Sequence, residues 1–439
     1  MRRTIIMAAV CLSLAAPAGA QEGWTLPQCI EHALEHNLSV KQSSINVEQQ
    51  EIALNSAESN RLPGLSGSAG QNFSFGRGLT ADNTYANTNT TSTSFTLGGD
   101  MTLFNGNRIR NNIEMSRLDL EAATSDLARA KDDIRVAVAQ AYVQILYDME
   151  IVEVAENQVS IDSLQVVRLK EMAANGKASK AEVSAQEATL AQSCVSLTQA
   201  ENNLTLAVLD LTQLLELPSP EGFSIVRPSM ENMEVGLLMS PEAIYEEAVG
   251  IKPVIKSEEI RLDHALKNID VAKGAFLPSL SMSAGLGTNY YTSSGYASNP
   301  FFTQLKNNFS QYIGLNLNVP IFSRFSNRNQ LKSAQLSLQN QQIQLENTKK
   351  QLFKEIQQAY YNAVAAQEKF ISCEMAARSA QDAFELSQAK YESGKAGITE
   401  YNEAKGRYIS AESSLVQARY ENLYQSKLLD FYRGLDLVF

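Results

Sequence analysis

Cys29, His32 and His36 are the side chains whose types and spacing best suit chemistry. His32 and His36 stand at i and i+4, so on a helix their rings share a face, as a chelating pair must. The segment is not HExxH, and no clear fourth ligand follows it. The matching segment later in the chain has Glu247 and no histidine. We therefore read it as a surface or packed helix and expect no metal. The remaining histidine, His264, stands apart. No G-x-S-x-G, phosphate-binding loop or dinucleotide fingerprint occurs, so no catalytic residue, no cofactor and no enzyme activity are expected.

The bulk properties bound the partners. The chain has 439 residues and a formal net charge of −11. That charge argues against nucleic acid, because phosphate binding needs a basic surface. Residues 1–20 read as a signal peptide: Arg2 and Arg3 are basic, Ile5 to Ala16 is apolar, and Ala18-Gly19-Ala20 is a cleavage site. That apolar run is shorter than the ~20 residues a spanning helix needs. Cys29, Cys194 and Cys373 are widely spaced and give no disulfide framework. Neither Cys11 nor Cys29 follows the small residue typical of a lipidation site, so an unlipidated chain is expected.

The elements that would position any site are duplicated. Leu62-Pro63-Gly64-Leu65 recurs as Leu277-Pro278-Ser279-Leu280. Asn175-Gly176-Lys177-Ala178 recurs as Ser393-Gly394-Lys395-Ala396, and Ala141-Tyr142 as Ala359-Tyr360. The expected organisation is a first repeat over 21–217, a Pro-rich linker over 218–240 and a second repeat over 241–439. Each repeat reads as a short helix (Pro27–His36, Pro241–Val249), a medium helix (Val40–Arg61, Val254–Phe276), two alternating segments, a very long helix, a tight turn and another long helix.

Asn107 to Asn175 and Arg324 to Ser393 contain neither Gly nor Pro. At 1.5 Å per residue, each stretch makes a helix of about 100 Å. Ile134, Val138, Ala141, Ile145, Met149 and Val152 step by fours and threes, as do Leu352, Ile356, Ala359, Ala363, Ala366 and Phe370. This is a coiled-coil seam with small residues that let helices approach closely. The helix after the turn, Ala178–Leu217, and the medium helix together match the long helix in length, so one long helix could pair with two laid in series.

The segments between helices alternate with period two. Phe95, Leu97, Gly99, Met101 and Leu103 interleave with polar or small residues, as do Ile313, Leu315, Leu317, Val319 and Ile321. Leu280, Met282, Ala284 and Leu286 do the same, and Leu65–Gly76 more weakly. About ten residues suits a tilted strand crossing a bilayer. The polar stretches Arg77–Thr93 and Tyr291–Ser310 read as exposed loops. Four strands cannot close a barrel, which needs about eight, and an open edge cannot face lipid. Membrane strands here therefore require at least two chains around one barrel.

Together the duplication, the helix–strand–strand–helix order, the LPGL and LPSL lead-ins and the Gly-centred turns resemble the TolC family of outer-membrane efflux proteins. The resemblance implies a mainly α fold with a small membrane β-barrel contribution. It implies a homotrimer, with four strands per chain in a twelve-stranded barrel and the helices in a coiled-coil tunnel. The short helices and the 218–240 linker would form an equatorial belt. It places the protein in the outer membrane of a Gram-negative bacterium, reaching into the periplasm, as a passive export channel. A periplasmic adaptor and an inner-membrane transporter are the implied partners. The adaptor would dock at the turns carrying Gly176, Lys177, Gly394 and Lys395. Glu182 and Glu400 lie six residues beyond the turn glycines, matching family acids at the tunnel mouth, and Glu403 matches another. Glu400 and Glu403, at i and i+3, share a helix face. Tyr391 matches a gate tyrosine, whose family arginine partner falls at Ala396. The rival readings are a periplasmic coiled-coil adaptor and a helical rod without a pore. Two complete hairpins and four barrel-length strands argue against the adaptor, and membrane fractionation would separate the rod.

Overall fold

A computed structural model describes residues 23–79, 83–228 and 236–437. The expected signal peptide, and part of the expected linker, lie outside the described residues. The chain divides into two compact units. The first comprises the described residues up to Val40, Lys131–Tyr245 and those from Glu355 onward; the second comprises Lys41–Ala130 and Glu246–Lys354.

The order of elements follows the duplicated pattern. Helices α1 (Leu26–His36) and α2 (Leu38–Ser59) precede strands β1 (Gly64–Leu79) and β2 (Tyr85–Asn105). The long helix α3 (Arg108–Ala174) and its partner α4 (Lys180–Leu214) complete the first series. The second runs α5 (Pro241–Ile251), α6 (Pro253–Gly274), β3 (Ser279–Ser293), α7 (Phe301–Asn307), β4 (Ser310–Asn318), α8 (Ser326–Glu392) and α9 (Ile398–Tyr432). Both long helices have 67 residues and both partners 35.

Local chemistry sets the boundaries. Thr25 caps α1, accepting from the Gln28 amide while Gln28 accepts from the Thr25 amide, a reciprocal capping box. Both long helices stop at a left-handed glycine, Gly176 (φ 70°) and Gly394 (φ 73°). The Gly176 amide donates to Ala173 O at 3.1 Å and the Lys177 amide to Met172 O at 2.8 Å. In the second series the Gly394 amide donates to Tyr391 O at 3.0 Å and the Lys395 amide to Lys390 O at 2.8 Å. The same Schellman-type ending, which uses glycine's freedom at positive φ, closes both helices.

The core of the first unit is the seam read from the sequence. Val138, Ile145, Ile356, Ala359, Ala363 and Ala366 are buried; Leu352, in the second unit, is buried as well. Around Val138 and Ile145 gather Leu26, Cys29, Ala33, Leu211, Leu215 and Val416. The segment after α4 returns to the N-terminal segment as a parallel bridge, Trp24 to Ile225. Tyr142 fixes that bridge by donating to Val226 O at 2.6 Å, with Trp24 O at 3.2 Å.

In the second unit, polar pairs tie the shorter helices to the long ones. Arg117 of α3 meets Glu58 of α2 at 3.2 Å. Arg261 of α6 meets Asp126 of α3 at 2.6 Å. Gln341 of α8 donates to Glu258 of α6 at 2.6 Å. The four strands form one antiparallel sheet in the order β1-β2-β3-β4.

The strands differ from the sequence expectation in four ways; first, β4 ends at Asn318, so Val319 and Ile321 lie beyond it, where Pro320 has no amide to pair. The hairpin β1–β2 is far longer than about ten residues, at 16 and 21. Most of the Asn- and Thr-rich stretch read as a loop, Arg77–Thr93, is paired strand, for Arg77 opposes Asn87 and Gly76 opposes Thr88. Thr is a good strand former, and a ribbon in water needs no apolar face to keep its ladder bonds. The second expected loop, Tyr291–Ser310, begins as strand to Ser293 and then holds the helix α7. Finally, Leu103 leaves the alternating series. A bulge between Thr102 and Phe104 sets Phe104 opposite Leu280.

Candidate functional site

Two surfaces hold the residues singled out by sequence, and the sheet is the simpler. Cross-strand pairing sorts its side chains by face. Met101 opposes Met282, Met282 opposes Leu315, Leu280 opposes Leu317 and Leu97 opposes Leu286. The other face carries Ser66, Ser68, Thr96, Ser281, Ser283 and Asn316, with the carboxylate of Asp100 among them. On the apolar face Leu315 is 67% exposed and Ile313 80%. That much open hydrocarbon on one face demands an apolar surrounding. Both outer strands, β1 and β4, have one edge without a strand partner among the described residues. No described helix is long and apolar enough to cross a membrane.

The turns of the first unit form the second surface. Glu182 sits at the start of α4, where Ser179 caps the helix. The Ser179 amide donates to the Glu182 carboxylate at 2.7 Å, and the Glu182 amide to Ser179 Oγ at 3.1 Å. The backbone bond from Ser179 holds the exposed Glu182 carboxyl below its ordinary range. This acid thus serves a helix cap whatever else it faces. The start of α9 differs, because Gly397 offers no side-chain cap.

Glu400 and Glu403 lie in the first turns of α9 and are exposed. Each has a cation near it: Lys390 lies 3.8 Å from Glu400 and Arg407 lies 3.4 Å from Glu403. Such exposed pairs are weak and leave the carboxylates free to exchange partners. Glu403 also lines a shallow groove with Ala376, Gly406 and Arg407. Gly176, Lys177, Gly394 and Lys395 occupy the two turns themselves, all exposed.

Tyr391 packs in the last turn of α8. Its ring stacks on Tyr401 of α9 with centroids 5.2 Å apart. The guanidinium of Arg168, from α3, lies 5.3 Å from the ring centroid, and also 3.7 Å from Glu392. Burial raises the Tyr391 phenol above its usual range, and Arg168 opposes that rise. Arg168 was not singled out by sequence. It brings a cation to Tyr391 from the other hairpin of the same chain.

Beneath this contact lies a polar cluster the sequence reading missed. Asp162 of α3 is fully buried and ion-paired to Lys405 of α9, itself only 3% exposed. Asp162 also accepts from Gln186 Nε2 at 3.0 Å and Ser193 Oγ at 2.7 Å, both on α4. Asn402 of α9 donates to Gln186 Oε1 at 3.3 Å. Three helices from both hairpins therefore meet on one carboxylate. A signal existed: Lys405 continues the seam of Tyr401 and Tyr408, where a charge is out of place.

The histidine pair lies elsewhere. His32 and His36 stack with centroids 4.1 Å apart, and His36 Nδ1 lies 3.0 Å from the His32 carbonyl oxygen. Burial lowers the His32 pKa, with the neighbouring His36 adding to the effect. Cys29 is buried in the core, where desolvation pushes its thiol up to about 12. No group of three or more potential metal ligands comes together among the described residues.

Comparison with known proteins gives a consistent answer. The family described as "Outer membrane efflux protein" matches twice, over residues 29–216 and 244–434. The chain is 22% identical to the outer membrane protein TolC of Salmonella enteritidis over 432 residues, covering 96% of this chain and 84% of TolC. It is 23% identical to the cation efflux system protein CusC of Escherichia coli strain K12, covering 89% and 82%. The crystal structure of the Campylobacter jejuni CmeC outer membrane channel superposes with a TM-score of 0.78 at 18% identity, over 100% of this chain and 95% of CmeC. The mostly helical fold with four antiparallel strands agrees with these matches, and the chain belongs to the outer membrane efflux protein family.

Proposed function

We propose that several copies of this chain, three by family likeness, close one barrel of twelve strands and form the exit duct of a tripartite export system. The observation that carries this reading is the sheet. It has one hydrocarbon face, one hydroxyl-rich face and, among the described residues, two edges without strand partners, on β1 and β4. Backbone groups at such edges cannot face lipid unpaired, so β4 of one copy must find β1 of the next. The Ser, Thr and Asn face then lines a water-filled passage. The two matches to the family, over 29–216 and 244–434, support a tandem repeat.

The passage is passive. An inner-membrane transporter supplies energy, and a periplasmic adaptor docks on the turns at Gly176, Lys177, Gly394 and Lys395. Glu182, Glu400 and Glu403 face the mouth there, and Tyr391 helps to hold it closed. The exposed carboxylates of Glu400 and Glu403, repeated around a symmetric mouth, concentrate cations. The reading needs no catalytic group. Planar-bilayer recording tests it: the purified protein should conduct, and divalent cations should block it from the mouth side. Replacing Glu400→Gln and Glu403→Gln together should weaken that block. Conduction with an unchanged block would remove these acids from the mouth, and absence of conduction would sink the channel.

A further inference from the structure

The outer end of the sheet shows a length mismatch. β1 has 16 residues whereas β4 has nine. Both strands begin or end beside a proline at the inner rim, Pro63 before β1 and Pro320 just after β4. Proline has no amide to donate, so pairing stops there. Aligned at that rim, nine residues of β4 reach only from Gly64 to Asn72 of a neighbouring β1. Phe73 is the first residue left uncovered.

On β3 the same gap is already filled within the chain. β4 pairs with β3 only as far as Gly287, yet β3 continues to Ser293. Beyond Gly287 its outer edge meets α7 and the residue that follows. The Tyr291 amide donates to Gln304 Oε1 at 3.0 Å, and Gln304 Nε2 donates to Tyr291 O at 3.0 Å. Asn308 Nδ2 donates to Asn289 O at 2.7 Å. Two side-chain amides, one helical turn apart, thus stand in for a missing strand. Thr288 Oγ1 also donates to Leu305 O, at 2.6 Å. The Phe301 ring meets Tyr290 edge-on at 5.0 Å. Thr288 and Tyr290 lie on the apolar face of the sheet, so α7 leans toward that face.

The side of α7 turned away from β3 has no occupant among the described residues. Phe302 is 81% exposed there, beside Phe301 at 5.4 Å. Phe73 and Phe75 of β1 lie on the same apolar face as Leu65 and are 60% and 75% exposed. We propose that α7 fills the notch above β4 and that its Phe302 packs on Phe73 and Phe75 from β1 of a second copy, sealing the outer part of the seam between protomers. The inference rests on the reading that copies share one barrel. It adds that strands alone do not close the seam, and that α7 is part of the interface.

Crosslinking tests it in the full-length protein purified in detergent, with Cys29, Cys194 and Cys373 replaced. The variant carrying Phe302→Cys and Phe75→Cys, treated with a short bis-maleimide, should shift from the monomer band to dimer and trimer bands. Phe302→Cys with Phe73→Cys should do likewise, whereas Phe302→Cys with Leu65→Cys, at the inner rim, should remain monomeric. Adding Gln304→Ala and Asn308→Ala should abolish the crosslink while the native mass of the oligomer is unchanged. A multimeric native mass without any 302–73 or 302–75 crosslink overturns the inference and leaves the shared barrel standing. A monomeric native mass overturns both. In vesicles, strong quenching of a fluorophore on Phe302→Cys by doxyl-labelled lipid would assign this face to lipid and overturn the inference.

Discussion

Replacing Lys405→Met should loosen the helices near the turns. It removes the cation from Asp162, whose side chain has no exposure to water. Breaking one partner of a buried pair costs about 3–5 kcal/mol, because the remaining charge is left uncompensated. Gln186 and Ser193 still donate to Asp162, so the lower end of that range applies. A loss of about 3 kcal/mol in local opening corresponds to roughly a hundredfold faster amide exchange. The double variant Asp162→Leu with Lys405→Met has no charge left to bury and should recover most of that loss, leaving as the residual defect the Gln186 amide that has lost its acceptor, since Ser193 Oγ still donates to Thr189 O. Hydrogen exchange read by mass spectrometry on peptides spanning 155–170 and 398–410 measures both variants. Equal exchange in wild type and Lys405→Met, or additive losses in the double variant, would refute the idea that one carboxylate joins α3, α4 and α9.

Two other predictions concern the first unit. Burial, with Cys29 nearby, pushes the Tyr142 phenol up to about 12, so it supports folding fully below its unfolded value of about 10 and that support fades as pH rises through about 12. Trp24 is the only tryptophan, and its carbonyl faces Tyr142, so its emission should shift over that alkaline window; in Tyr142→Phe the emission should be shifted already at neutral pH, and an unaltered spectrum would contradict the bridge. Gly394→Ala meets no neighbour within 4 Å but holds a φ of 73°, so its cost is conformational, about 1–2 kcal/mol, confined to the last turn of α8; exchange that rises along the whole of α8 would argue against a local cap.

Much of this architecture was legible because it rests on periodicity and on punctuation. The absence of Gly and Pro between Asn107 and Asn175 fixes α3 within a residue or two at each end. The small and aliphatic seam at Val138, Ile145, Ile356 and Ala363 is buried as its spacing requires. What escaped depends on pairing across the chain. The Thr-rich strand after Tyr85 has no apolar alternation to announce it, and only pairing with β1 and, from Thr90, with β3 makes it a strand. The seven residues of α7 are too few to show a period. At the turns, Gly176 and Gly394 were readable as helix stops, because positive φ selects glycine. The partner of Tyr391 was not, since Arg168 is more than two hundred residues away and meets it only when α3 and α8 pack. The buried Asp162 was hidden for a similar reason: its three partners come from two other helices.

The native mass of the purified, detergent-solubilised protein tests the shared barrel most directly. The described residues of one chain give a sheet of four strands, and a closed barrel needs about eight or more. A shared barrel should give a mass of three chains and no stable monomer. A folded monomer that stays in solution once detergent is withdrawn would contradict it.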